Sequence, residues 1–225
     1  MKSIICLLLL FGLTVVASAQ VQDINFDIAA SDGAKLRATY YSPGKPGPGI
    51  LLLHQCNMDR KSWAGLGQAL AQRGIHVLTF DYRGYGETPP SGSRENLATD
   101  IDKAFETLKS KPGVNVNLLA AGGASCGVNN SIQLARRTGE IKALLLLTGP
   151  TTPNGLSFLK EQMDLAIFLA DEEGFDSGIK SIVKSSKNPA STMRDVGKGW
   201  HGVLMFEKDQ SILPTMADWV AKVLR

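Results

Sequence analysis

The chain has 225 residues, 44% hydrophobic and 20% charged, with a formal net charge of +3. That length and apolar content suffice for one domain with a sizeable core. The charge is small and no Lys/Arg block stands out, which argues against nucleic acid or a membrane surface as partner.

Residues 1–19 read as a signal peptide. Lys2 gives a positive start, residues 4–16 are almost wholly apolar, and Ala17-Ser18-Ala19 is a small-residue cleavage site. Gln20 would be the first mature residue. The apolar run is short for a membrane span, and Cys6 lies too early in it to carry a lipid anchor. An exported protein, periplasmic or secreted, is expected, with residues 20–225 forming one domain and no later membrane span. Cys56 and Cys126 are the cysteines left after cleavage.

In chain order, residues 21–30 alternate apolar and polar, as an edge strand would. Ser31-Asp32-Gly33 turns the chain into a return strand over residues 35–41. Residues 42–49 are a Pro/Gly-rich loop, and residues 50–53 a buried strand ending at His54-Gln55-Cys56-Asn57. Asp59 or Lys61-Ser62 caps a helix that runs to Arg73, where Gly74 stops it. A strand over 75–80 leads into Asp81-Tyr82-Arg83-Gly84-Tyr85-Gly86-Glu87-Thr88. Residues 96–110 form a helix with Leu97, Ile101, Phe105 and Leu108 on one face.

The next stretch organises the chain. An apolar strand from Val116 runs into Gly123-Ala124-Ser125-Cys126-Gly127, followed by helical spacing at Ile132, Leu134 and Ala135. This G-x-S-x-G pentapeptide sits between a strand and a helix. A serine on such a turn has strained backbone angles and needs small neighbours so that chain segments can pass closely. The turn lifts the Ser125 hydroxyl clear of the sheet and aims the first helical N–H groups at whatever it attacks.

Residues 141–147 are a continuous apolar strand, followed by a short connection with room for one helical turn around residues 156–159. A strand over 164–170, a helix over 174–185, a weak strand over 192–196 and a closing helix over 213–224 complete the chain. Strand–helix alternation with continuous apolar strands predicts a mostly parallel sheet covered on both faces, with the leading hairpin antiparallel at one edge.

A serine hydroxyl needs a base. His76 lies inside a strand and reads as structural. His54 follows the third strand and reads as a brace for its loop. His201, in Gly199-Trp200-His201-Gly202, is free to reach over the sheet edge and is the expected base. Its acidic partner should lie just beyond a strand's C-terminal end. Asp171, Glu172 and Glu173 compete there, and Glu173 is chosen for its reach before the flexible Gly174. The oxyanion needs two N–H donors: the amide of Cys126, and one from Cys56 or Gln55.

The order serine, acid, histidine, with the elbow, His54-Gln55 and the Asp81–Gly86 loop, resembles the α/β-hydrolase superfamily. It is most similar to small lidless members related to dienelactone hydrolases. The resemblance implies a three-layer sandwich without a lid domain and an open, shallow site. It also implies hydrolysis of a carboxylic ester or related acyl bond in a small-molecule substrate through an acyl-serine, with no metal and no organic cofactor. Dienelactone hydrolases carry cysteine at the nucleophile position; here Ser125 holds it and Cys126 is one residue late.

Two amides that contact one oxygen bring the Cys56 and Cys126 backbones towards disulfide spacing, Cα to Cα roughly 4.4–6.8 Å. An exported protein with a lone cysteine pair usually bonds it, so a Cys56–Cys126 disulfide is expected. Two other readings remain open. One is a non-catalytic binding protein on the same fold, which would leave His201 out of reach of Ser125. The other is thiol chemistry at Cys56 and Cys126, disfavoured by the absence of C-x-x-C.

Overall fold

A computed structural model describes residues 21–93 and 95–225. The expected leader at residues 1–19 lies outside the described residues.

Eight strands form one sheet in the order β1-β2-β4-β3-β5-β6-β7-β8. They are β1 Gln22–Ala29, β2 Lys35–Ser42, β3 Gly47–Leu53, β4 His76–Phe80, β5 Val114–Ala124, β6 Ile141–Leu147, β7 Ala166–Glu172 and β8 Thr192–Val196. The β1–β2 hairpin is antiparallel and joins β4 antiparallel through β2. All other pairings are parallel. Ile50 to Leu53 in β3 and Ala143 to Leu147 in β6 are buried on both faces, which is why these strands read as unbroken apolar runs.

Successive strand residues point to opposite faces, so the sheet carries two cores. On one face, α1 (Ala64–Gln72) and α7 (Ile212–Val223) press Leu66, Leu70, Met216 and Val220 onto Ile50, Leu52, Leu145 and Leu147. On the other, α2 (Asn96–Lys109), α3 (Cys126–Thr138) and α5 (Ile179–Lys184) press Ile101, Phe105, Ile132 and Ile179 onto Leu51, Leu53, Leu144 and Leu146. Each fully buried side chain of this size contributes about 1.5–3 kcal/mol.

Several boundaries differ from those read in the sequence. β3 starts at Gly47, inside the expected loop, with a register shift at Pro48, which has no N–H to give the ladder. A 3-10 turn, Arg60–Trp63, precedes α1, and Asp59 caps it by accepting from Lys61 N. The single expected turn near Leu156 is a nine-residue helix, α4 (Pro153–Glu161). Thr152 accepts from Gly155 N and Pro153 stands in the first turn, so local signals start this helix. The helix expected over 174–185 is only α5, because Gly174 and Gly178 have positive φ and hold the chain in a loop. β7 begins and ends two residues later than expected, a shift that decides the acid below. A short helix, α6 (Met205–Lys208), precedes α7. Among the described residues, no helix is long and apolar enough to cross a membrane.

Candidate active site

Ser125 is the one residue between β5 and α3. Its φ is 51° and ψ −117°, a conformation that costs a non-glycine residue about 1–3 kcal/mol. The surroundings hold it there. Its N–H donates to the carbonyls of Leu147 (3.0 Å) and Thr148 (3.1 Å). A Cβ on Gly123 would overlap the Gly127 carbonyl, and one on Gly127 would overlap the Leu53 carbonyl. Both glycines of the motif are therefore demanded by close backbone approach.

His201 follows a glycine-flanked loop after β8. Its Nε2 lies 2.9 Å from Ser125 Oγ and its Nδ1 lies 3.1 Å from Glu172 Oε2. The other oxygen of Glu172 accepts from Gly199 N at 3.0 Å, so one carboxylate holds both the ring and the loop that carries it. With Nδ1–H donating to Glu172, Nε2 is left to accept the serine proton.

Of the three competing carboxylates the structure brings Glu172, not the expected Glu173, to His201. β7 extends to Glu172, and strand alternation then places Asp171 and Glu172 on opposite faces. Glu172 takes the face towards His201. Asp171 is buried on the other, 4.0 Å from Lys180 Nζ, with neither oxygen hydrogen-bonded. Glu173 is exposed in the turn that follows.

Thr148 is a site residue that the sequence patterns do not single out. It is buried with φ 30°, the other positive-φ non-glycine residue among those described. Its carbonyl accepts from Ser125 N, its N–H donates to Ala170 O at 2.8 Å, and its Oγ1 accepts from Glu172 N at 3.1 Å. One residue thus fixes the backbones of both Ser125 and Glu172. Its strained position after an apolar strand left no sequence signal beyond the following Gly149.

Cys56 and Cys126 form a disulfide, with Cα atoms 5.9 Å apart. It joins the loop after β3 to the residue after Ser125. Among the described residues, neither cysteine backbone N–H donates to a loop or side-chain acceptor, and the same holds for the Gln55 backbone N–H, while the Gln55 side-chain amide donates to Asn57 Oδ1 at 2.7 Å. His54 is buried. Its Nε2 accepts from Tyr82 N (3.0 Å), so Nδ1 carries the proton and donates to Gln55 O (2.8 Å). Burial pushes its pKa down, favouring this neutral bracing form. Gln55 Oε1 accepts from Val203 N at 3.1 Å, tying the loop to the His201 segment. Buried Asp81 accepts from the amides of Arg60 and Glu87 and from the Arg60 guanidinium, locking this loop to the one after β4. His76 is removed from this site: its Nδ1 lies 2.6 Å from Tyr40 Oη in the interior.

A cavity of about 540 Å³ lies beside the disulfide, because the segment 82–93 forms a wall that strand and helix patterns did not reveal.

A family model described as alpha/beta hydrolase fold matches residues 48–183, more than half of the chain. Among solved structures, an esterase of Pyrococcus furiosus superposes with a TM-score of 0.72 at 14% identity, covering 91% of this chain and 92% of that one. Est1E of Butyrivibrio proteoclasticus, solved with ferulic acid bound, superposes with a TM-score of 0.70 at 14% identity, covering 88% and 98%. By sequence, an uncharacterized protein of Mycobacterium tuberculosis is 35% identical over 127 residues, 56% of this chain and 44% of that protein. An alpha/beta hydrolase domain-containing protein of Caenorhabditis elegans is 41% identical over 75 residues, 33% of this chain and 22% of that protein. The chain thus spans less than half the length of the curated relatives it matches.

Proposed function

This chain belongs to the alpha/beta hydrolase fold family, and we propose that it is a serine hydrolase cleaving a carboxylic ester or related acyl bond through an acyl-serine intermediate. The carrying observation is the hydrogen-bonded series Ser125 Oγ, His201 and Glu172 at 2.9 and 3.1 Å.

In this mechanism His201 Nε2 takes the Ser125 proton as Oγ attacks the carbonyl carbon. Glu172 keeps the ring in the required tautomer and stabilises the imidazolium. The developing oxyanion is met by the amides of Cys126 and Cys56, preorganised by the disulfide and by His54. His201 then protonates the leaving oxygen, and the acyl-serine forms. Water, deprotonated by the same nitrogen, attacks it, and His201 returns that proton to Ser125 Oγ as the acyl–oxygen bond breaks and the acid leaves.

The esterase among the structural neighbours supports an ester as substrate. The binding-protein reading called for His201 out of reach of Ser125, and at 2.9 Å it loses the observation that would have favoured it. Export is part of the proposal: the leader pattern and the disulfide both suit an oxidising compartment. The test is hydrolysis of 4-nitrophenyl acetate and butyrate by the protein starting at Gln20, beside Ser125→Ala. A fall of several orders of magnitude in the variant is expected. Equal turnover by both proteins would overturn the mechanism.

A further inference from the structure

We infer that the cavity beside the disulfide is the acyl pocket and that it takes a neutral acyl group bearing an aromatic ring. The inference rests on the acyl-serine reading and names its substrate class.

Position gives the arm of the substrate. The cavity is lined by residues drawn from 56, 82–85, 90–93 and 97–100. Cys56 is part of its wall, and its sulfur is bonded to Cys126, directly after Ser125. Tyr82 lines it too, and its hydroxyl accepts from Asn130 Nδ2 at 3.3 Å in the second turn of α3. The cavity therefore lies on the oxyanion side of Ser125, linked to it through the disulfide and through Asn130, while Ser125 itself is not among its lining residues. None of its lining comes from the 197–203 loop or the 172–175 turn. The leaving group must lie beside His201 Nε2, which protonates it. The arm that points away from His201, the acyl arm, is the one that enters this cavity.

Shape and chemistry give the class. Tyr82 and Tyr85 meet edge to face, ring centroids 6.3 Å apart at 87°, and Pro90 and Leu97 add apolar surface. The Tyr82 ring is fixed from behind by His54, centroids 3.9 Å apart. Tyr82 is only 3% exposed and props Tyr85 in place, so the half-buried Tyr85 ring offers the aromatic surface, which suits a planar ring packed against it. A volume of about 540 Å³ leaves ample room for a phenyl ring on a short spacer.

Arg83 also lines the cavity, and a free guanidinium would favour a carboxylate-bearing acyl group. It is not free. Its Nε and Nη2 donate to Asp100 at 2.7 and 2.8 Å, its Nη1 and Nη2 donate to Asp32 at 2.6 and 2.9 Å, and Nη1 also donates to Ser91 O at 3.4 Å. All five N–H groups are committed. Arg83 closes the cavity wall as part of an ion-paired cluster and leaves no donor for an anion.

The experiment compares three esters of one leaving group: 4-nitrophenyl acetate, 3-phenylpropionate and octanoate. kcat/KM for the phenylpropionate is expected to exceed both others by at least about tenfold, since a filled apolar pocket is worth a factor of this size per group. In Tyr85→Ala, and in Leu97→Trp, which fills the cavity, the phenylpropionate-to-acetate ratio should fall at least about fivefold. Octanoate equal to or better than phenylpropionate would overturn the aromatic assignment. A ratio unchanged in both variants would overturn the pocket assignment. Binding of neutral, unreactive 3-phenylpropanamide to Ser125→Ala, measured by calorimetry, reads the pocket without the reaction. Binding weakened by Leu97→Trp, in a protein that turns over no ester, would leave the pocket standing while the serine-hydrolase reading fails. Absence of binding would overturn the pocket whatever the turnover.

Discussion

Cys56 and Cys126 are 70 residues apart in sequence and bonded in the structure, and the bond ties the loop after β3 to the residue directly after Ser125. Closing a loop of this length removes about 4 kcal/mol of chain entropy from the unfolded state. The double variant Cys56→Ser/Cys126→Ser is therefore expected to melt about 10 °C lower, read by calorimetry. Two titratable thiols in denatured, unreduced wild-type protein would contradict the bond itself.

Glu172 and Glu173 are neighbours with different surroundings, and substitution separates them. Glu172→Gln keeps the shape but loses the charge that stabilises the imidazolium. A fall in kcat of about 10³–10⁴-fold is expected. Glu173→Gln, in the exposed turn, should stay within about twofold of wild type. Steady-state kinetics on 4-nitrophenyl acetate decide, and the reverse order would restore Glu173 as the acid.

Thr148 acts through others, as a positioning residue. Thr148→Ala removes the acceptor for Glu172 N and loosens the elbow's neighbour. A loss of about 1.4 kcal/mol of positioning is a tenfold loss in rate, expected in kcat with KM little changed. Thr148→Ser keeps the hydroxyl and should recover most of the rate. Equal loss in both variants would point to packing in place of the hydrogen bond.

Asp171 carries a pH signature. Burial pushes its pKa up to about 6, with Lys180 pulling it down and the carboxylates of Asp195, Asp176 and Glu172 pushing it further up. A carboxylate whose folded pKa is raised costs no stability below its unfolded pKa, destabilises the fold progressively as pH rises from the unfolded to the folded value, and costs a constant amount above it. The penalty thus grows between about pH 4 and pH 7 and levels off at about 3 kcal/mol at most. Asp171→Asn should match wild type at pH 4 and melt several degrees higher at pH 8. A melting difference independent of pH would show that Asp171 is already stabilised by its surroundings.

Much of this was legible in the sequence because it follows from local rules. The G-x-S-x-G turn names Ser125 because only glycines pass the backbones at 123 and 127. His201 stands out because glycines flank it. The apolar runs at 50–53 and 141–147 announce strands buried on both faces. What was not legible depends on register. Glu172 and Glu173 differ by one strand position, and the two-residue shift of β7 is fixed by its pairing with β6 and β8, from Ala143↔Ala166 to Glu172↔Val196. Thr148 escaped because its contribution lies in backbone contacts to β5 and β7. The cavity escaped because most of its lining comes from Cys56 and the 82–93 loop, which carry no periodic pattern, with only Leu97 and Asp100 supplied by α2.

The most direct measurement is covalent. The protein is treated with a fluorophosphonate, digested, and the modified peptide located by mass spectrometry. A single adduct on the Ser125 peptide is expected, forming at least about a hundredfold more slowly in His201→Ala. No adduct, or an adduct elsewhere while ester turnover persists, would contradict Ser125 as the nucleophile.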